Sequence, residues 1–113
     1  MKRISSRRAK ACAITAAVEE EVRRRDKGAC IFCKNTVNVT SRAHVVPRSD
    51  NGLGIVENVI TACTDFTEIK CHTKLDNGTR EERKAMYDYA RNYLREHYPN
   101  LDEINVRYSK YGN

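Results

Sequence analysis

Five cysteines and three histidines are the residues of this 113-residue chain best equipped for chemistry. Cys30-Ile-Phe-Cys33 places two thiols on one turn, where both can reach a single tetrahedral ion. That spacing alone serves zinc sites and redox centres equally. A second pair, Cys63 and Cys71, lies downstream, and no strand–helix–strand pattern surrounds the first. Four thiols for one structural Zn²⁺ is the reading this favours. The second pair is looser than the usual spacing of about two to four residues. The competing reading is a set of buried, unpaired thiols acting as small hydrophobes. For Cys12, which falls within a predicted helix, that reading is preferred.

The bulk composition explains why a staple would be needed. The length fits a single domain, residues 1–113, and with no Trp and only two Phe its core must be modest. No apolar run approaches the roughly 18 residues of a membrane span, and the N-terminus lacks an apolar signal-type segment. A cytoplasmic setting is therefore expected, where thiols stay reduced, and an odd cysteine count argues against a disulfide framework. The net charge of +6 suits a polyanionic partner, although charge by itself does not distinguish DNA binders from other basic domains.

The elements that must position these residues are legible in outline. Residues 1–10 read as a basic, flexible arm. From about Ala9 to Arg25 the pattern is helical, with Ile14, Val18 and Val22 on one stripe and the charge runs 19–21 and 23–25 on a solvated face. Asp26-Lys27-Gly28 ends that helix. Residues 36–40 and 42–46 read as two short strands, Pro47 closes the second, and 49–54 form a loop of turn residues. Residues 57–62 are helical or extended, and 71–75 form a short helix ending near Asn77-Gly78. Thr79-Arg-Glu-Glu82 has the capping-box form and opens the best helix in the chain, reaching about Tyr98 before Pro99. Its stripe of Met86, Tyr89, Ala90, Tyr93, Leu94 and Tyr98 reads as core rather than as a base-stacking platform. His97 reads as a surface residue, and the tail 101–108 is expected to pack back on the body.

Between the cysteine pairs stands Arg42-Ala-His44-Val-Val-Pro-Arg48-Ser-Asp-Asn-Gly-Leu-Gly54, then Glu57-Asn58-Val59-Ile60, and finally Cys71-His72-Thr-Lys-Leu-Asp76. This order, within a four-cysteine frame, resembles the HNH (ββα-metal) endonucleases, especially the small stand-alone HNH proteins of phages. The likeness runs over about residues 24–110. It implies an α+β fold in which a zinc-stapled ββα-metal unit is flanked by an N-terminal helix and a long C-terminal helix.

Carried over residue by residue, the resemblance makes His44 the general base and Asn58 the brace of the hairpin-to-helix loop that orients it. His72 would bind the catalytic divalent cation, Mg²⁺, Mn²⁺ or Ni²⁺, and Asp76, one turn later, would complete that site. Cys30, Cys33, Cys63 and Cys71 would hold the separate zinc. The chemistry is consistent, since His is the side chain whose ordinary pKa lies near neutrality and a divalent ion can stabilise a phosphorane. Arg48, just after the base, is placed to grip a phosphate. The reaction implied is metal-dependent hydrolysis of DNA to 3′-hydroxyl and 5′-phosphate ends. Phage terminase subunits are the implied partner, in genome packaging inside a bacterial host. Alternatives stand beside these roles: His44 as an ordinary packed histidine, His72 as a zinc ligand in place of Cys71, Asp76 as a plain helix-end carboxylate, Arg48 as a surface charge. One departure matters. Many HNH proteins carry a metal ligand immediately before the base, and here that position is Ala43. A non-catalytic zinc module that binds DNA or protein is the rival reading.

Overall fold

The computed structural model describes residues 6–64 and 70–109, apart from the side chain of Asp76. Six main elements follow in the order α1 (Arg7–Cys12), α2 (Ala16–Asp26), β1 (Val39–His44), β2 (Val59–Cys63), α3 (Cys71–Asn77) and α4 (Arg80–His97). The fold is a small α+β arrangement around a two-stranded antiparallel sheet. Among the described residues no helix is long and apolar enough to cross a membrane.

The N-terminal region departs from the expected flexible arm and single helix. Ser6 caps α1 by accepting from Ala9 N, the chain becomes extended at Ala13, and Thr15 caps α2 by accepting from Val18 N. Two hydroxyl caps thus divide one periodic stretch, because a Thr side chain satisfies orphan N–H groups better at a helix start than inside one. Residues 1–5 of the supposed arm lie outside the described residues. Of the predicted stripe, Val22 is fully buried.

Nor is the charged face of α2 wholly solvated. Asp26 is buried and pairs with Arg25, Nε to Oδ1, at 2.7 Å. Asp26 also accepts from Thr61 N at 2.9 Å and from the Tyr93 hydroxyl at 2.6 Å. Arg25 donates to the carbonyls of Val56 and Val59, and its guanidinium lies 5.7 and 5.8 Å from the Tyr93 and Tyr98 ring centroids. This lock joins α2 to β2 and α4, and among the described residues no buried side-chain nitrogen or oxygen lacks a hydrogen-bond partner. Burial pulls the Arg25 pKa down, but the bonds and charge of Asp26 outweigh it and hold the guanidinium above its ordinary value. Burial, then the Asp26 bond, pushes the Tyr93 phenol up.

The two expected strands before Pro47 are one strand, and its partner is the segment read as helical or extended. Positive φ at Lys34 and Asn38 keeps 34–38 out of the sheet. β1 pairs with β2 from Val39↔Cys63 to His44↔Val59, with an irregularity between Thr40 and Ala43. Ser41 and Ala43 face the interior, while Arg42 is exposed and His44 half-buried. Such bulges re-aim side chains next to functional sites. The capping box of Thr79 and Glu82 is complete, and α4 buries Ala90 and Leu94 while Tyr89 stays exposed. The tail packs back as expected: Leu101 and Val106 are buried, and Gly52 bridges to Arg107.

Candidate functional site

Cys30, Cys33, Cys63 and Cys71 converge, their sulfurs all within 4.8 Å of one another. The first two sit on a knuckle closed by Lys34 N donating to Cys30 O and Cys30 N donating to Asn35 O, with Lys34 in the left-handed region. Cys63 ends β2, Cys71 begins α3, and Cys71 N donates to Cys63 Sγ at 3.0 Å. A tetrahedral zinc site with bonds of about 2.3 Å needs sulfurs about 3.8 Å apart. Cys33 and Cys63 Sγ stand at 3.8 Å. The four are therefore positioned to bind a metal ion. Burial, followed by bonding and repulsion among neighbouring thiols, pushes the Cys71 thiol strongly up, and burial pushes Cys33 up too. An ion must displace those protons to bind. The long excursion within the second pair, 65–69, lies outside the described residues. Cys12 is fully buried apart from this cluster, as the packing reading expected.

Next to the sulfur cluster opens a second feature. A cleft of about 580 Å³ is lined by Arg42 and His44 of β1, Pro47, Arg48, Ser49 and Asp50 of the following loop, His72 and Asn77 of α3, and Arg83 of α4. Both candidate histidines thus face one space. Since Cys71 belongs to the sulfur group and His72 to the cleft, one short helix serves both. The Asp76 backbone lies on α3, but its side chain falls outside the described residues.

His44 is oriented from an unexpected quarter. Its Nε2 lies 2.9 Å from the carbonyl of Cys12, at the end of α1. A carbonyl can only accept, so Nε2 carries the proton, and in the neutral ring the basic lone pair is on Nδ1. The end of α1 is itself anchored to the loop after β1, where Gly54 N donates to Ala11 O at 3.0 Å, and the chain just beyond α1 is anchored to β1, where Arg42 Nη1 donates to Ile14 O at 2.9 Å. Any side chain at Gly54 would collide with Ala13, its Cβ falling 2.1 Å from that carbonyl oxygen. The Gly-rich loop thus admits α1 to the site.

Asn58 is buried and ties the other side of the loop. Its Oδ1 accepts from Val46 N at 2.8 Å, and its Nδ2 donates to the carbonyls of Val46 and Leu53. The loop it braces is the long one between the strands, not a hairpin-to-helix loop, because β1 and β2 are themselves the paired strands. Arg48 is exposed and touches Ala9 O at 3.4 Å. Ala43 is fully buried and supplies no ligand. Sequence reasoning passed over Arg42, Arg83 and the Cys12 carbonyl. Arg42 sits two residues before His44, and strand alternation alone could have placed the two on one face. Nothing local announces the other two.

No family model, no curated protein and no solved structure matches this chain. The resemblance to HNH endonucleases rests on the quoted motifs.

Proposed function

We propose that the chain is a metal-dependent endonuclease of the HNH type, hydrolysing DNA phosphodiester bonds, with a structural zinc at its four cysteines. The observation that carries the reading is that His44 and His72 line one open, arginine-rich cleft. The succession β1–β2–α3 supports it as a ββα unit, with His44 ending the first strand and His72 on the helix.

In this mechanism His44, protonated on Nε2 against Cys12, takes a proton from the attacking water at Nδ1. Arg42 and Arg48 neutralise the phosphate that enters the cleft. Asn58 holds the loop that follows His44. Besides His44, the described cleft side chains best able to hold a divalent cation are His72 and Asp50, with the Asn77 carbonyl and Ser49 hydroxyl as neutral oxygen donors. So sparse a set fits an ion that keeps several waters and completes its shell with substrate phosphate. Such an ion, when bound, supplies charge stabilisation to the phosphorane and the departing 3′ oxygen.

A second reading, a non-catalytic zinc module, is favoured by one specific observation. Among the described residues the four cysteines are the one group of three or more His, Cys, Asp or Glu close enough to hold an ion. Plasmid cleavage with Mg²⁺, Mn²⁺ or Ni²⁺ separates the two. Wild type should nick or linearise DNA until EDTA is added, and His44→Ala should lower the rate about 10²–10⁴-fold. His72→Ala should raise the metal concentration needed. If all three proteins bind DNA alike and none cuts, the module reading replaces the nuclease.

A further inference from the structure

A smaller cavity of about 180 Å³ adjoins the cleft. It is lined by Val45, Val46, Pro47, Asp50, Leu75, Arg83, Tyr87 and Arg107. Pro47, Asp50 and Arg83 belong to both spaces, so they form one continuous groove from β1, past the two histidines, to the tail. Two features of the smaller cavity differ from the cleft: its floor is apolar, and a phenol stands beside its two guanidiniums.

The tail is held in place to deliver its arginine. Leu53 N donates to Val106 O, Tyr108 N donates to Asn51 O, and Gly52 pairs with Arg107 across an isolated bridge. A Cβ at Gly52 would fall 1.7 Å from the Val46 carbonyl oxygen, so the loop approaches the end of β1 closely there. Arg83 is carried on the second turn of the capped helix α4. Arg42 on the cleft wall is bound to Glu19 at 2.8 Å, whereas Arg83 and Arg107 form no ion pair with a carboxylate among the described residues. Cations left uncompensated around a small, partly apolar pocket suit a ligand that is anionic at one edge and flat and apolar elsewhere. A nucleotide has that chemistry.

We propose that this cavity is a nucleotide subsite, in which Arg83 and Arg107 hold backbone phosphate and Tyr87 with Pro47 packs against the sugar and base. The substrate strand then runs from the histidine cleft over Arg83 to the tail. This rests on the nuclease reading for the identity of the polymer, but not on catalysis. Asp50, at the junction, opposes an anion and so places the phosphates beyond it, toward the arginines.

The test is binding of a fluorescein-labelled single-stranded oligonucleotide, without added divalent cation, across a series of KCl concentrations, for the full chain. Each of Arg83→Gln and Arg107→Gln should lower the slope of log affinity against log salt by about 0.7, and the pair together by about twice that. Arg24→Gln, an exposed residue of α2 paired with Glu20 and lining neither the cleft nor the smaller cavity, serves as a control that should leave the slope unchanged. Tyr87→Ala should weaken binding without altering the slope. Unchanged slopes in the two groove variants, or no binding by wild type, would overturn the subsite. If the slopes fall as stated but plasmid is never cut, the subsite stands and hydrolysis falls; if plasmid is cut while the slopes hold, only the subsite falls.

Discussion

The sulfur cluster and the histidine cleft meet at Cys71 and His72, neighbours on one short helix, and they are built in opposite ways. At the cluster, four donors from the knuckle, β2 and α3 close on one point, three of them buried. At the cleft, two histidines and Asp50 border an open space shared with three arginines. A closed set leaves no coordination position for substrate, so its ion contributes folding energy; an open set leaves room for water and phosphate. The difference teaches a division of labour: the cluster fixes where α3 starts, and the next residue along is aimed into the cleft.

The sharpest way to break that comparison is to remove a donor from each side. Cys30→Ser should release the ion and unfold the domain, because structural zinc contributes about 10–16 kcal/mol, comparable to or above the whole stability of a small domain. His44→Ala and His72→Ala should retain the ion and most of the melting temperature. Metal content by elemental mass spectrometry, alongside thermal melts followed by circular dichroism, reads both. If Cys30→Ser melts like wild type, or His72→Ala empties the cluster, the two regions are not divided as described.

The lock of Arg25, Asp26 and Tyr93 sits outside both regions and sharpens the comparison as a purely structural third. Tyr93→Phe removes a hydrogen bond to a buried carboxylate and should cost about 1.5–3 kcal/mol in urea denaturation, with metal content and cleavage of folded protein unchanged. The pH dependence follows from the raised phenol pKa. The fold stabilises the protonated phenol, so this contribution is complete below the unfolded value of about 10 and is lost as pH rises toward the folded one. Wild type should therefore lose stability above about pH 10 more steeply than Tyr93→Phe. Parallel alkaline curves would show that the phenol does not titrate against Asp26.

How much of this was legible depended on the range of the interactions. Thr79 and Glu82 are local, and the capping box they form could be read directly. The four-cysteine set was legible because ligand chemistry restricts what such thiols can do, and His44, Asn58 and His72 because their order resembles a known motif. Thr15 was equally local as a cap, but the apolar stripe running past it concealed the break. Asp26 was hidden by its neighbours: in a run of charges nothing distinguishes the one carboxylate that Thr61 and Tyr93 will enclose. The carbonyl of Cys12 and the guanidinium of Arg83 reach the cleft only through tertiary packing, and no periodicity encodes that.

Glu19 offers the finest cut between stability and site. Its Oε1 receives Arg42 at 2.8 Å and its Oε2 receives Arg23 at 3.0 Å, all three side chains being partly exposed. Exposed pairs of this kind are worth about 0.2–1 kcal/mol, so Glu19→Gln should barely move the melting temperature. Its effect on binding should be visible instead. Removing one negative charge beside the cleft, while Ile14 O still holds Arg42, favours an incoming phosphate. DNA affinity should rise by about 1.5- to 5-fold at low salt, the equivalent of about 0.2–1 kcal/mol, and return to the wild-type value as salt screens the charge. A gain that persists at high salt would mean that Glu19 acts by restraining Arg42 rather than by its charge. A loss at low salt would mean that the fork to Glu19, and not the carbonyl, is what aims Arg42 into the groove.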